Sequence, residues 1–122
     1  DEDSNVRAEA ANALVSYGVE RAWPLLQQAF AADDAWLVRC SILSALAEQP
    51  GIDLGWLLEL ATMAIADADA IVRVSGAEIL SRIVREGGAD PSAVQARGLL
   101  QSLHQDSDHR VLAAVKNGLQ AN

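Results

Sequence analysis

Two histidines and two aspartates stand close together near the C-terminus, and side chains of these types can ligate metal ions. They occur in the hexapeptide H-Q-D-S-D-H, which runs from His104 to His109 and contains Asp106 and Asp108. Zinc and calcium sites need several convergent ligands, and this stretch offers no cysteine, no HExxH motif and no EF-hand pattern. We therefore interpret the hexapeptide as a solvated turn, and we expect the protein to use no metal ion and no other cofactor.

The rest of the sequence has few residues in arrangements typical of a catalytic site. Cys40 is the only cysteine and has no obvious general base beside it, so it suits a small surface position better than the role of a nucleophile. The pair Gly87-Gly88 has no lysine after it, and neither a Ser-His-Asp arrangement nor paired carboxylates in an apolar setting occur. These observations favour a protein that is not an enzyme.

An internal repeat in the sequence predicts the helices that would position any functional site. Val6, Val38, Val72 and Val111 each have an aspartate five residues earlier and a leucine eight residues later. Steps of 32, 34 and 39 residues separate these valines, a range in which one repeat is one helical hairpin of a solenoid. The residue directly after each valine is an arginine in three copies and a leucine in the fourth. The four aspartates are Asp1, Asp33, Asp67 and Asp106. The residues that follow the valines are Arg7, Arg39, Arg73 and Leu112.

Apolar residues at helical spacing between turn residues predict seven helices and no strand. We expect an all-α, right-handed α-α superhelix with three complete hairpins and one half repeat in a single domain. The predicted boundaries are 1–17 for the half repeat and 18–49, 50–87 and 88–122 for the hairpins. Turns are predicted at Gln49-Pro50-Gly51 and Glu86-Gly87-Gly88, and an aspartate cap is predicted at Asp90.

The first helix has no hairpin partner ahead of it in the sequence. Its apolar stripe of Val6, Ala10 and Leu14 would pack on the second helix on one side and on nothing on the other. We therefore expect either a piece of a longer solenoid or end-to-end self-association through this helix. On the helices that follow, the residues predicted to be apolar core include Trp23, Trp56, Met63 and Val94.

Composition limits the classes of partner. Seventeen acidic residues face nine basic ones, giving a net charge of −8, which argues against binding to nucleic acid phosphates. No run of 18 or more apolar residues is present, so we expect no membrane span. One cysteine cannot form an internal disulfide, which fits the cytoplasm, and arginine and alanine in place of lysine suggest a bacterial source.

With these columns aligned, the chain resembles HEAT-like repeats of the short type also found in phycobilisome lyases. The resemblance lies in D-S-N-V-R-A-E-A-A-N-A-L (3–14), A-W-P-L-L-Q-Q-A-F-A-A-D-D-A-W-L-V-R (22–39) and D-A-D-A-I-V-R-V-S-G-A-E-I-L (67–80). It implies a protein-interaction or scaffold module; the alternative is a chromophore-handling protein, or a lyase fragment, of the phycobilin-lyase kind. It also implies an aspartate and arginine ladder, interrupted at Leu112, among Arg7, Arg39, Arg73, Asp33 or Asp34, Asp67 and Asp69.

The resemblance further implies a concave face formed by the second helix of each hairpin. Positions two, three and six residues after each column valine would line it, and small residues there would let a partner helix or an extended peptide approach closely. Trp36, two residues before its valine, is a candidate rim anchor or folds back over its own hairpin. The lining residues are Ala8, Glu9, Asn12, Cys40, Ser41, Ser44, Val74, Ser75, Glu78, Ala113, Ala114 and Asn117.

Most aspartates fall in the four turns before these helices, so they would form an acidic rim. The rim could dock a basic protein partner or divalent cations, or the aspartates could cap the helices and pair with the ladder arginines. Both interpretations stay open at this stage. The eight rim residues are Asp1, Asp3, Asp33, Asp34, Asp67, Asp69, Asp106 and Asp108.

Overall fold

A computed structural model describes residues 3–49 and 51–120. Asp1 of the repeat pattern and Pro50 of the predicted turn lie outside these ranges. The described chain is all-α, and the predicted fold class is confirmed by seven α-helices, one short 3-10 turn and no strand within those ranges. The helices are α1 (Ser4–Ser16), α2 (Val19–Ala32), α3 (Trp36–Ala47), α4 (Leu54–Ala64), α5 (Ala70–Gly87), α6 (Pro91–Ser102) and α7 (His109–Gln120), and the 3-10 turn is Leu103–Gln105.

The chain divides into two compact units, Asp1–Ile52 and Asp53–Asn122. The first contains α1 to α3, and the second contains α4 to α7. In the first unit α1 packs on α2 and α3, and α2 also packs on α3. In the second unit α5 is central and packs on α4, α6 and α7.

Aspartates three residues before the column valines start the second helices of the repeats. The Asp3, Asp69 and Asp108 carboxylates accept hydrogen bonds from the backbone N–H groups of Asn5, Ile71 and Arg110 at 2.8, 2.9 and 2.8 Å. Such bonds satisfy N–H groups that have no partner inside the helix. The N-cap of α3 is the exception, because Ala35 stands at this position and makes no side-chain cap bond.

Aspartates also cap the first helices of two hairpins. Asp53 accepts from Gly55 N at 2.7 Å, and Asp90 accepts from Ser92 N at 2.8 Å with Pro91 as the first helical residue. The predicted cap at Asp90 is therefore confirmed. Proline suits this position because its missing N–H would have had no partner inside the helix.

The predicted break at Glu86-Gly87-Gly88 is wrong by two residues. Helix α5 continues through Glu86 and Gly87 and ends only before Gly88, whose φ of +55° favours glycine. Gly87 serves packing instead, because a Cβ there would lie 2.8 Å from the Cβ of Ala93. The lack of a side chain lets α5 and α6 approach each other closely.

The first unit buries one side of α2 and α3, including Trp23 and Phe30 of α2 and Ile42 of α3. Helix α1 contributes a different face from the predicted one. Its buried residues are Ala8, Ala11 and Val15, whereas Val6 and Ala10 are exposed and Leu14 is half-buried. The prediction followed the larger side chains, but close helix packing selected the face that carries small alanines.

The second unit is built around α5, whose Val72 and Leu80 are fully buried. Gly76 lies in close contact with α4, where a Cβ would come within 2.8 Å of the Ala64 Cβ. Two residues predicted as core, Met63 of α4 and Val94 of α6, are exposed, and Trp56 is half-buried. The side of α6 that faces the core carries Ala93, Ala96 and Leu100 instead. Small residues again form the buried surface.

Candidate functional site

An arginine of the first repeat copy reaches the aspartate of the second copy within the first unit. Arg7 Nε lies 2.6 Å from Asp33 Oδ2, and Arg7 Nη2 lies 3.3 Å from Asp33 Oδ1. The backbone N–H of Ala35 also donates to Asp33 at 2.9 Å. The hydrogen bond from Arg7 and that from Ala35 lower the pKa of Asp33 despite partial burial, and the same carboxylate raises the pKa of Arg7.

The second unit repeats this arrangement between its two copies. Arg73 Nε lies 2.8 Å from Asp106 Oδ2, and Arg73 Nη2 lies 3.3 Å from Asp106 Oδ1. The N–H of Asp108 donates to Asp106 at 2.9 Å. Burial raises the pKa of Asp106, but the bonds from Arg73 and Asp108 outweigh it, so the net shift is downward.

The ladder arginines also bind the turn that precedes their own helix. Arg73 Nη1 donates to the carbonyl oxygens of Asp67 at 2.9 Å and Ala68 at 3.0 Å. Arg39 Nη1 donates to the carbonyl oxygen of Asp33, also six residues earlier in the chain. Arg73 thus joins its own turn to the next copy, and the fork of guanidinium donors makes this double attachment possible.

Two other aspartates proposed for the ladder also accept backbone hydrogen bonds. Asp67 accepts the backbone N–H of Asp69 at 2.8 Å, Asp69 caps α5, and Asp34 is exposed. Asp106 was not among the residues assigned to the ladder, yet it is the aspartate that Arg73 contacts. Its position five residues before Val111, the same as that of Asp33 before Val38, was the signal that could have identified it.

The first unit contains a groove between α1 and α3. It has a volume of about 420 Å³ and brings together three of the predicted concave-face residues of α3 with the predicted Asn12 of α1. Glu48 carries the one charge among the described residues of the lining. The lining residues are Asn12, Val15, Ser16, Cys40, Ser41, Ser44, Ala45, Glu48 and Gln49.

The second unit has an equivalent groove of about 260 Å³ between α5 and α7. Of the predicted concave-face residues it includes Glu78, Ala114 and Asn117, while Val74 and Ser75 are half-buried on α5. This groove also contains Arg85, so it differs in charge from the groove of the first unit. Sequence reasoning missed Arg85, which lies thirteen residues after its column valine and outside the three positions considered.

Comparison with known families agrees with this repeated geometry. A family model described as HEAT repeats matches residues 1–47. Residues 1–47 are therefore similar to HEAT repeats. HEAT repeats generally mediate protein–protein interaction or scaffolding, and the match carries no information on the phycobilisome-lyase type. No curated protein and no solved structure matches the chain.

The fourth repeat copy departs from the other three. Leu112 replaces the ladder arginine, and Arg110 instead binds Asp108, with 2.9 Å between Nη2 and Oδ2. This bond lowers the pKa of Asp108 and raises that of Arg110. Leu112 belongs to an apolar groove of about 420 Å³ lined by α7 and the 3-10 turn, a feature that sequence reasoning did not find. Its lining residues are His104, Leu112, Val115, Lys116, Leu119 and Gln120.

The remaining candidate residues named here, His104, His109 and Trp36, are exposed. The described ranges contain no group of three or more potential metal ligands. Trp36 is the first residue of α3 and is 44% exposed. Among residues 3–49 and 51–120 there is no helix with the length and apolar character needed to cross a membrane.

Proposed function

We propose that this chain is a non-enzymatic protein-interaction module that binds a partner in the groove between α1 and α3. The observation that carries the proposal is the lining of this groove, which has small hydroxyl, thiol and amide side chains and a volume of about 420 Å³. Ser41 and Ser44 leave room for a partner backbone, and their hydroxyls can donate and accept hydrogen bonds. An extended peptide segment or a helix with small residues fits such a surface.

The charge of the module favours a basic partner. Glu48 supplies a carboxylate at one end of the groove, and Asp34 is exposed in the turn before α3. In a protein of net charge −8, this acidic character would steer a lysine-rich or arginine-rich partner toward the surface, and we propose that it does so in the cytoplasm.

The experiment is affinity capture from an extract of the source cells with three immobilised baits. The baits are the wild-type chain, Ser41→Arg, which fills the groove with a long cationic side chain, and Val94→Arg, which places the same side chain on an exposed site of α6. We expect a protein to be retained by the wild type and by Val94→Arg and lost from Ser41→Arg. Equal retention by all three baits would exclude the groove as the binding site.

Three further readouts separate the alternatives. Raising the salt concentration from 50 to 500 mM should weaken capture at least tenfold if the acidic surface contributes, since screening reduces attraction between exposed charges. Trp36→Ala should weaken capture if the exposed indole is an anchor at the rim. Retention of a coloured tetrapyrrole in place of a protein would favour the phycobilin-lyase alternative.

A further inference from the structure

The grooves of the two units are lined from equivalent repeat positions but differ in charge. The residue six positions after a column valine lines both grooves, as Asn12 and Ser44 in the first unit and as Glu78 and Asn117 in the second. The second groove also includes Arg85, from the last turn of α5. It therefore has a carboxylate where the first groove has the neutral Asn12, and it has a guanidinium as well, so the two grooves suit ligands of different charge.

Glu78 and Arg85 lie on the same side of α5. They are seven residues apart, which is nearly two turns of helix and about 10 Å along its axis. Ser81, the other α5 residue in the lining, is neutral and buried, and its hydroxyl donates to the carbonyl oxygen of Ala77 at 2.9 Å. The groove therefore has one negative end and one positive end.

Both charged side chains are exposed, and Arg85 forms no ion pair within the part of the chain that the structure describes. Arg82, three residues earlier, is instead held by Glu86 at 2.7 Å. No acidic residue lies three or four positions from Arg85 along the chain, so its own helix offers it no partner. The Arg85 guanidinium therefore keeps its fork of donors for the carboxylate of a ligand.

The opposite wall of this groove leaves room for the main chain of a ligand. Ala114 and Gly118 of α7 have little or no side chain, and Asn117 offers an amide that both donates and accepts hydrogen bonds. A segment in the groove can therefore run between α5 and α7 with its side chains directed toward Glu78 and Arg85.

We propose that the groove between α5 and α7 binds an extended segment of a partner protein in which a basic and an acidic residue lie three positions apart. The basic residue pairs with Glu78, and the acidic residue pairs with Arg85. In the polyproline II conformation, residues three positions apart lie on the same side of the chain, about 9 Å from each other, which matches the spacing of the two charges on α5. This site goes beyond the proposed function, which concerns the groove between α1 and α3.

The test is a titration of the isotope-labelled chain with short peptides, followed by nuclear magnetic resonance. The peptides are Gly-Xaa-Pro-Ser-Xaa-Pro-Gly with blocked ends, and the two variable positions are lysine and aspartate in either order, two lysines or two aspartates. A proline after each variable position favours the extended conformation. The backbone amide signals of Ser81 and Asn117 report on this groove, and those of Ser41 and Ser44 report on the groove between α1 and α3.

Two single substitutions should switch the preference among the peptides. We expect the wild type to bind a mixed peptide about fivefold more tightly than either like-charged peptide, because only the mixed peptide pairs with both charges of the groove. Arg85→Glu should prefer the two-lysine peptide, and Glu78→Arg should prefer the two-aspartate peptide. The matched controls Arg21→Glu and Glu20→Arg change the net charge equally at exposed positions of α2 and should keep the preference for the mixed peptide.

Three results would overturn the proposal. They are the absence of signal changes at Ser81 and Asn117, the same order of peptide affinities in the wild type and the two groove variants, and an equal switch of preference in the two controls. Signal changes at Ser41 and Ser44 bear on the proposed function alone, so one titration judges the two sites separately.

Discussion

Arg73 and Asp106, thirty-three residues apart in the chain, form a bidentate ion pair that joins α5 to the turn before α7. The side chains are only 17% and 8% exposed, so water screens this pair less than a surface ion pair. The same guanidinium binds the carbonyls of its own turn. One side chain therefore fixes two turns of the second unit relative to each other.

Removing the Arg73 side chain should lower the free energy of unfolding more than removing an ordinary surface charge. We expect Arg73→Ala to lower the free energy of unfolding of the second unit by about 1–3 kcal/mol, since it leaves the largely buried Asp106 carboxylate without its main partner. Arg82→Ala, which removes a more exposed pair with Glu86, should cost about 0.5 kcal/mol. Urea unfolding followed by Trp56 fluorescence, with Trp23 and Trp36 replaced by Phe, measures both values. Equal effects of the two variants would mean that the cross-copy pair adds nothing beyond a surface contact.

Acid should lower the free energy of unfolding of both units over the same range of pH. The pKa values of Asp33 and Asp106 are lowered in the folded chain, so the native state binds fewer protons than the unfolded state as the pH approaches 4. Their stabilising contribution is complete above the unfolded pKa of about 4 and is lost as the pH falls through the lower folded values. We expect the free energy of unfolding to fall between pH 5 and pH 2. Asp106→Asn should show a shallower fall by Trp56 fluorescence, and an unchanged slope would contradict this assignment.

Two glycines in helices should respond to alanine with opposite signs. A Cβ at Gly118 would overlap Ser81 Oγ and lie 3.0 Å from Ser81 Cβ, whereas one at Gly98 has nothing within 4 Å. Gly118→Ala should therefore destabilise by about 1–3 kcal/mol through overpacking, and Gly98→Ala should stabilise by about 0.5–1 kcal/mol because alanine favours the helix. Ser81→Ala should recover part of the first loss in the double variant. Thermal unfolding by circular dichroism tests the pair, and a stabilising Gly118→Ala would refute the close approach of α5 and α7.

The missing cap of α3 can be restored. Ala35 occupies the position at which Asp3, Asp69 and Asp108 cap their helices, and its extended backbone suits a capping side chain. We expect Ala35→Ser to stabilise the first unit by about 1 kcal/mol. Serine avoids adding a charge beside Asp33 and Asp34. Ala35→Val is the matched control, because it enlarges the side chain without an acceptor; equal stability of the two variants would show that no cap bond forms.

The sequence predicted the helices well because the signals that end them are local. Helix α2 begins directly after Gly18 and ends directly before the pair Asp33-Asp34, residues that favour helix ends. The repeat itself was visible because the valine, arginine and aspartate columns recur in register. The pairing of Arg73 with Asp106 could be predicted only by including the fourth copy in the same register. In that copy Leu112 replaces the arginine, so the aspartate column was not followed as far as Asp106.

The buried faces were harder to predict because alanine and glycine carry little hydropathy signal. Helix α1 buries Ala8 and Ala11, and α6 buries Ala93 and Ala96, while the larger Val6 and Val94 are exposed. Close approach of helices depends on the absence of side-chain volume, which a search for large apolar residues overlooks. The groove between α1 and α3 was also hard to predict, because its lining depends on how the two helices are rotated relative to each other. The spacing of apolar residues within one helix does not determine that rotation.

The contact between Ser81 and Gly118 bears on how such a repeat array can change by duplication. The position of Gly118, seven residues after the column valine, is occupied by Ala13, Ala45 and Ile79 in the other copies. A copy of the second repeat placed after the third would bring an alanine methyl against Ser81 and force α5 and α7 apart. The third and fourth repeats are therefore matched to each other, and an exchange of repeats that separates them would have to alter both residues together.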